Sequence, residues 1–386
     1  MMLTKRITSV LLSAVLVVVL VVSSAVISSA ITTISDENYK YAVISDDELA
    51  IYRYKGTDSE IVLPESYGGR AVAGIYADCF ENSAITSVTI PDSYTFIGDS
   101  AFYGCANLTE IKIPKGIDTI GKYAFGACTS LASFDISHAE NLRALPEAVC
   151  SGCTSLQTIS IPMIIGEIGD YAFSDSGLTS IKLPKSILKM GSGVFSGCSD
   201  LVQADIPPEL TEIKEETFLN CTKLKTIVIP EKTEKIGKSA FEGCSLLSDI
   251  EIPLSVNAIG EKAFYYASSL TSLFISNNVT SIGAEAFAPM SYTNTIEIVC
   301  LEGSYAEEYC SSNLVQCKNV LLGDCNLDGK VDVNDVTTIQ LYLVGEEALI
   351  PTCCAKALAN TNKDEKISIR DATMIQLLLV GIITEL

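Results

Sequence analysis

Between about residue 80 and residue 290 the apolar positions recur in a fixed phrase longer than any helix or strand period. Each unit opens with apolar residues at relative positions 1, 4 and 6, as in Leu224, Ile227 and Ile229, or Leu247, Ile250 and Ile252. The last two alternate with polar residues, which predicts a short strand with one buried face. Proline follows at Pro91, Pro114, Pro162, Pro184, Pro207, Pro230 and Pro253. It has no N–H to continue a ladder, so it is expected to end the strand. A step such as Ile120-Gly121 comes next, its glycine expected in a tight turn. The unit closes on a phrase centred on Phe, at Phe80, Phe102, Phe125, Phe173, Phe195, Phe218, Phe241, Phe264 and Phe287, with Cys150 in the place between Phe125 and Phe173. The steps are 22, 23, 25, 23, 22, 23, 23, 23 and 23 residues, a period that only a tandem structural repeat maintains.

One such unit cannot bury its own apolar side. Stacking sets each Leu, Ile and Phe on its counterparts above and below, giving one continuous core and a parallel sheet on the concave face of an α/β repeat solenoid. The quoted residues resemble the BspA-like leucine-rich-repeat family over about residues 36–320. Residues 39–64 resemble the hairpin that opens such arrays, and residues 295–316, with Gly303-Ser304-Tyr305-Ala306, resemble the closing unit. The resemblance implies a cap hairpin and first repeat over 36–83 and a solenoid with its closing cap over 84–320. Caps are needed because an open solenoid end exposes apolar surface.

After Gly323 the pattern changes. Residues 324–335 place side-chain oxygens at loop positions 1, 3, 5, 9 and 12, namely Asp324, Asn326, Asp328, Asp332 and Asp335, with Lys330 offering a backbone carbonyl at position 7 and Gly329 at the sharp turn. A hard cation wrapped by a short loop needs this spacing. The set recurs 36 residues later as Asn360, Asn362, Asp364, Lys366, Ser368 and Asp371. Helices are expected after both loops, over 337–345 and 373–381, each ending on Gly. Ile339 with Leu343, and Ile375 with Leu379, are expected to share a face. Two loop–helix units in about 60 residues resemble a type I dockerin, a small all-α calcium-binding module with paired EF-hand-like motifs, over residues 323–386. The resemblance implies two Ca²⁺ sites and calcium-dependent pairing with a cohesin domain of a cellulosome scaffold protein. It further implies that loop positions 10 and 11, Val333 and Asn334 in one half and Ile369 and Arg370 in the other, choose the cohesin. The second loop has Asn360 in place of an expected Asp and Glu365 in place of Gly, so its site is expected to be the weaker. A generic EF-hand calcium sensor is the other reading; no evident helix leads into Asp324.

Charge and composition narrow the function classes. A formal charge of −21 over 386 residues argues against nucleic acid, whose phosphates require Lys and Arg. The chain has no Trp and one His, His138, which leaves little for acid–base or zinc chemistry. Lys5 and Arg6 precede an apolar run from Val10 to Val22 and small-residue stretches ending at Ala25 and Ala30. Residues 1–30 therefore read as a signal peptide cleaved after one of these alanines, with no integral membrane domain left; an uncleaved anchor is the rival reading. Six cysteines, Cys105, Cys128, Cys153, Cys198, Cys221 and Cys244, each stand three residues after the repeat aromatic position, in one column with Ser176, Ala267 and Met290. Two readings stand: a stack of small buried hydrophobes, or a disulfide or metal ladder. Cys300, Cys310, Cys317 and the vicinal Cys353-Cys354 are open.

Position 5 of each strand should point out from the concave face, through Thr89, Lys112, Asp135, Ser160, Lys182, Asp205, Val228, Glu251 and Phe274. Val228 and Phe274 are apolar there, which marks either a ligand contact patch for a protein or glycan or incidental surface apolarity. These features describe a secreted or cell-surface, non-catalytic binding or adhesion protein attached through dockerin and cohesin to a cellulosome that degrades polysaccharide. The alternatives are a dockerin-borne glycoside hydrolase, for which no separate catalytic domain is evident, and a membrane-anchored surface adhesin.

Overall fold

A computed structural model describes residues 31–288, 296–346, 353–364 and 366–386. The apolar leader at 1–30, Met290, Glu365 and the side chain of Cys353 lie outside the described residues. Each repeat contributes three rungs, each hydrogen-bonded to its neighbours. The first is the expected strand, as at Glu110–Lys112, Ser180–Lys182 or Gln203–Asp205, paired in parallel one repeat apart. This row is broken. Residues 156–162, in the irregular stretch around Cys150, form no strand, and Asp249 makes only an isolated bridge to Thr226.

The second rung corrects the sequence reading. The Ile-Gly step is not simply a turn. The apolar residue of the step and the residue before it form two-residue parallel strands, such as Lys235–Ile236, Ala258–Ile259 and Ser281–Ile282, in one ladder that Glu212–Ile213, followed by Lys214, also joins. The glycine that follows is outside the left-handed region, so conformational freedom does not explain it. Close approach does. A Cβ on Gly237 would lie 2.5 Å from the Glu215 backbone nitrogen in the preceding repeat. Gly237→Ala is therefore expected to cost about 1–3 kcal/mol through forced backbone shifts, measured as a lower urea midpoint at unchanged m-value.

The third rung is the Phe segment. Ser100, Phe102 and Gly104 donate their N–H groups to the carbonyls of Lys122, Ala124 and Gly126, each at 2.8 Å. Ser100 and Gly104 have φ of +52° and +69°, and left-handed residues recur on both sides of the aromatic position. The rings stack. Phe80, Phe102 and Phe125 form one column at 4.9 and 5.2 Å between centroids, and the rings from Phe173 to Phe287 form another at 5.3–6.1 Å. Cys150 interrupts them. In the same repeat the strand carries Phe134 where its neighbours carry Ile111 and Ile159, and that ring packs 5.3 Å from Phe125. The missing ring is thus supplied from the strand.

The cysteine column is buried, and its thiols are free. Each thiol donates to the Phe carbonyl one repeat back, Cys105 to Phe80 at 3.0 Å and Cys128 to Phe102 at 3.1 Å, with Cys153, Cys198, Cys221 and Cys244 alike; only Cys153's repeat keeps its own Cys at the aromatic position. Burial pushes the Cys105 thiol up to about 12, far from the reactive thiolate. The column is structural. On the surface, ion pairs such as Lys223–Asp200 and Lys232–Glu209 link equivalent positions of adjacent repeats. Both partners are solvent-exposed, so each such pair contributes roughly 0–1 kcal/mol.

The ends of the stack are covered. Thr33–Ser35, Tyr39–Val43 and Glu48–Tyr54 form an antiparallel sheet whose last strand joins Arg70–Ile75 in parallel, closing the second ladder. At the other end Ser304 caps helix α1, Tyr305–Asn313. Tyr309, which stands 22 residues after Phe287, sets its ring edge-on to Phe287 at 5.9 Å, and its hydroxyl accepts the Ala286 N–H at 3.0 Å. It completes the last rung. One apolar core runs from Tyr39 to Cys310. A separate small core of Cys325, Val336, Ile339, Ala355, Ala359, Ala372 and Ile375 lies among helices α2 (Val333–Leu343), α3 (Cys353–Ala359) and α4 (Ile369–Leu379). Leu343 and Leu379 are solvent-exposed rather than sharing the buried face with Ile339 and Ile375. The buried partners lie three residues earlier, at Val336 and Ala372, which join Ile339 and Ile375 in the small core between α2 and α4. Among the described residues, no helix is long and apolar enough to cross a membrane.

Candidate functional site

The outward strand column exists in the expected register. Lys112 pairs with Asp135 and Lys182 with Asp205, with Val228 next in line. Val228 is 82% exposed. Phe274 departs from expectation. It keeps the register, beside Val299 and Lys318, but it is half-buried. The chain returns over this end, and Phe274, Val299 and Lys318 line a cleft of about 490 Å³ with Asp324, Leu327 and Gly329 of the first C-terminal loop. The strand pattern could not show what folds back over it. Val62, 73% exposed on Glu60–Val62, also belongs to this column, opposite Thr89. Its signal was present, because Ile61-Val62-Leu63-Pro64 matches Ile111-Lys112-Ile113-Pro114. The acids of the column are turned along their own chain. Asp135 accepts from Ser137 at 2.6 Å and lies 3.9 Å from His138, while Asp205 accepts from Gln203 at 3.3 Å.

The two C-terminal loops fold alike. Asp324 accepts the N–H groups of Asp328 and Gly329 at 3.0 and 2.9 Å. Asn326 accepts from Asp328, and Asp328 from Lys330. Gly329 has φ of +85°, which accounts for glycine at the turn. Asp332 caps α2, and Asp335 accepts from the backbone of Asn326 at 3.2 Å and of Asp332 at 2.8 Å. In the second loop Asn360 and Asn362 accept from Asp364, Asp364 from Lys366, and Asp371 from Asn362 and Ser368, the N-cap of α4. Loop positions 9 and 12 thus double as a capping box for the helix that follows. Among the described residues, no three His, Cys, Asp or Glu side chains are gathered as a metal cluster; the carboxylates turn to backbone N–H groups.

The donor set nonetheless fits a hard cation. Asp324 and Asp335 are 3% and 0% exposed, and among the described residues neither forms an ion pair with Lys, Arg or His. Burial raises the Asp335 carboxyl above its ordinary range, and the neighbouring Asp324 charge adds to the rise. A buried carboxyl pushed up by a second buried acid is a setting that a bound cation would relieve. Asp371 is buried likewise, with Asn360 where the first loop has Asp324. Val333, Asn334, Ile369 and Arg370 are all exposed, at the first turns of α2 and α4. Val344, Val380 and Ile382 add exposed apolar groups where these helices end.

The profile of the BspA type Leucine rich repeat region matches residues 73–202 and 191–314, in six copies. A comparison with curated proteins found no match. Among solved structures, a leucine rich cell surface protein from Faecalibacterium prausnitzii is 22% identical, covering 73% of this chain and 98% of its own at a TM-score of 0.40. The T. pallidum leucine rich repeat protein is 28% identical over 56% of this chain and 92% of its own, at 0.41. The pneumococcal vaccine antigen PcpA is 16% identical over 75% of this chain and 98% of its own, at 0.49.

Proposed function

Because the chain belongs to the BspA-type leucine-rich-repeat family, we propose that it is an exported, non-catalytic binding protein whose C-terminal loop–helix pair is a calcium-dependent dockerin. The solenoid presents a ligand face along its outward strand column, and the C-terminal pair attaches the chain to a cohesin on a polysaccharide-degrading scaffold. One observation carries the attachment: the buried Asp324 and Asp335, in no ion pair with Lys, Arg or His among the described residues, within a loop–helix unit that the chain repeats. Asp324, Asn326, Asp328, Asp335 and the Lys330 carbonyl would hold Ca²⁺ in the first loop, and Asn360, Asn362, Asp364, Asp371 and the Lys366 carbonyl in the second. The ion supplies positive charge and oxygen coordination. Asp332 and Ser368 hold the loop ends against the helices, so ion binding and helix position are tied together.

The loops differ by one formal charge at their first position, Asp324 against Asn360. Calorimetry on the full chain is expected to resolve a tighter and a weaker site, and Asn360→Asp to narrow the gap. Two equally tight sites in the parent chain would contradict this.

Val333 and Ile369 offer apolar contacts, and Asn334 and Arg370 polar ones, from helix starts where little reorganisation is needed on binding. On the solenoid, Val62 and Val228 present exposed apolar points along a mixed-charge column, suited to a protein or glycan. A dockerin-borne glycosidase needs two carboxylates about 5–10 Å apart over a cleft, whereas Asp135 and Asp205 are tied to residues two positions away along their own chain segments. The test is a pull-down with the full chain as bait against extracellular and wall fractions. It is run with calcium, with chelator, and with a Val333→Asp/Ile369→Asp bait. Capture of a cohesin-bearing scaffold in calcium alone, lost with the double variant, is the expected result. Calcium-independent capture, or none by a folded bait, would refute the docking role.

A further inference from the structure

We propose that Cys300 and Cys317 of the closing cap form a disulfide by exchange with an external small-molecule disulfide, Cys317 being the entry point and Cys310 remaining a thiol. The two residues stand on the last two strands of the array, Glu297–Leu301 and Gln316–Val320, which pair in parallel. Their sulfurs are 3.0 Å apart. Cys300 is buried and Cys317 exposed, so one thiol is open to reagent and the other waits behind it. Asn319 Oδ1 lies 3.3 Å from the Cys317 sulfur and 3.8 Å from that of Cys300, holding both thiols on one side, while its amide donates to Glu307 of α1.

The contrast with the rest of the molecule gives the site its selectivity. In the solenoid column each thiol donates a hydrogen bond to a Phe carbonyl and is sealed from solvent. Cys150 and Cys153 are neighbours too, but both are fully buried. Burial pushes the Cys300 thiol up to about 12, and Cys310, also buried beside Cys317, up to about 12. Attack therefore starts at the exposed sulfur.

The chemistry balances. Cys317 loses its proton and attacks one sulfur of R–S–S–R, giving a Cys317–S–S–R mixed disulfide and releasing RS⁻. Cys300 then gives up its proton and attacks the Cys317 sulfur, and the second RS⁻ leaves. Two protein thiols and one external disulfide become one protein disulfide and two RSH, with two electrons passed to the external disulfide. The bond closes the segment that carries α1, and so fixes Tyr309 over Phe287, the last ring of the aromatic column.

The full chain is treated with oxidised glutathione, alkylated after unfolding, and digested with Glu-C and chymotrypsin, which separate Cys300, Cys310 and Cys317. The expected product is one cross-linked peptide pair joining Cys300 to Cys317, with the column cysteines alkylated and the chain two hydrogens lighter. Cys310→Ser is expected to retain the link and Cys317→Ser to abolish it. The parent chain's own peptide map decides the matter if either variant fails to fold. A persistent glutathione adduct on Cys317, a Cys310–Cys317 link, or full alkylation of all three overturns the proposal.

Discussion

Replacing Phe218 by alanine is expected to remove about 3–5 kcal/mol of folding stability. The side chain has no exposed surface, and its ring stacks 5.5 Å from Phe195 on one side and 5.5 Å from Phe241 on the other. Deletion leaves a cavity in the middle of a column, and the flanking rings cannot both collapse into it because their backbones are tied by the hydrogen bonds of Phe195 to Thr217 and Phe218 to Ala240. In a solenoid, stability is carried by each repeat and its two interfaces, so both interfaces of this repeat weaken together. Cys150→Ala is the control. It removes one sulfur atom where the column is already interrupted and Phe134 supplies the ring, so the expected loss is about 1 kcal/mol or less. Urea titrations followed by circular dichroism give both numbers. A Phe218→Ala loss no larger than that of Cys150→Ala would show that the aromatic column is not what holds the repeats together.

Chelating calcium is expected to unfold the C-terminal helices while the solenoid stays folded. The two apolar cores are separate, so two thermal transitions are expected rather than one. The C-terminal core is small, built largely from alanine, Ile339 and Ile375, and it carries the buried Asp324, Asp335 and Asp371. Burial already disfavours the Asp335 carboxylate, and a bound cation is expected to offset that cost. Calcium at a hundredfold excess over its dissociation constant would raise the stability of this module by about 2.7 kcal/mol for one site. The lower transition should therefore move upward with calcium and the upper one should not. Asp324→Ala/Asp335→Ala should reduce the movement to that given by the second, weaker loop. A lower transition indifferent to calcium in the parent chain would remove the metal from this module.

Much of this molecule was legible along the chain. The 22–25-residue period located the repeats from Phe80 to Phe287, and the alternation at Leu224, Ile227 and Ile229 identified side chains that are buried. The spacing of Asp324, Asp328 and Asp335, repeated at Asn360, Asp364 and Asp371, located two loops with the same backbone bonding. Tyr309 could have been found by continuing the period one step past Phe287. These features are local, or recur at fixed intervals, and burial of one face in one unit repeats itself in the next.

Contacts between units were not legible in the same way. Glu212-Ile213 reads as one polar and one apolar residue before a turn, yet it is a rung of the second ladder, because its partners Lys235 and Ile236 lie a full repeat away. Gly237 reads as a turn residue, but what excludes a side chain there is the backbone of Glu215. Phe274 reads as an outward residue, yet it is half-buried at a cleft that it shares with the first C-terminal loop. Leu343 and Leu379 have helical spacing, yet the crossing of α2 and α4 decides which faces are buried, and it leaves them in solvent. The sequence by itself determined the repeat, its buried positions and the donor set of the loops, since these depend on periodicity and residue chemistry. Only the tertiary structure decided the second ladder, the glycine contacts, the half-buried phenylalanine and the meeting of Cys300 with Cys317, since each depends on the distance between chain segments that periodicity does not specify.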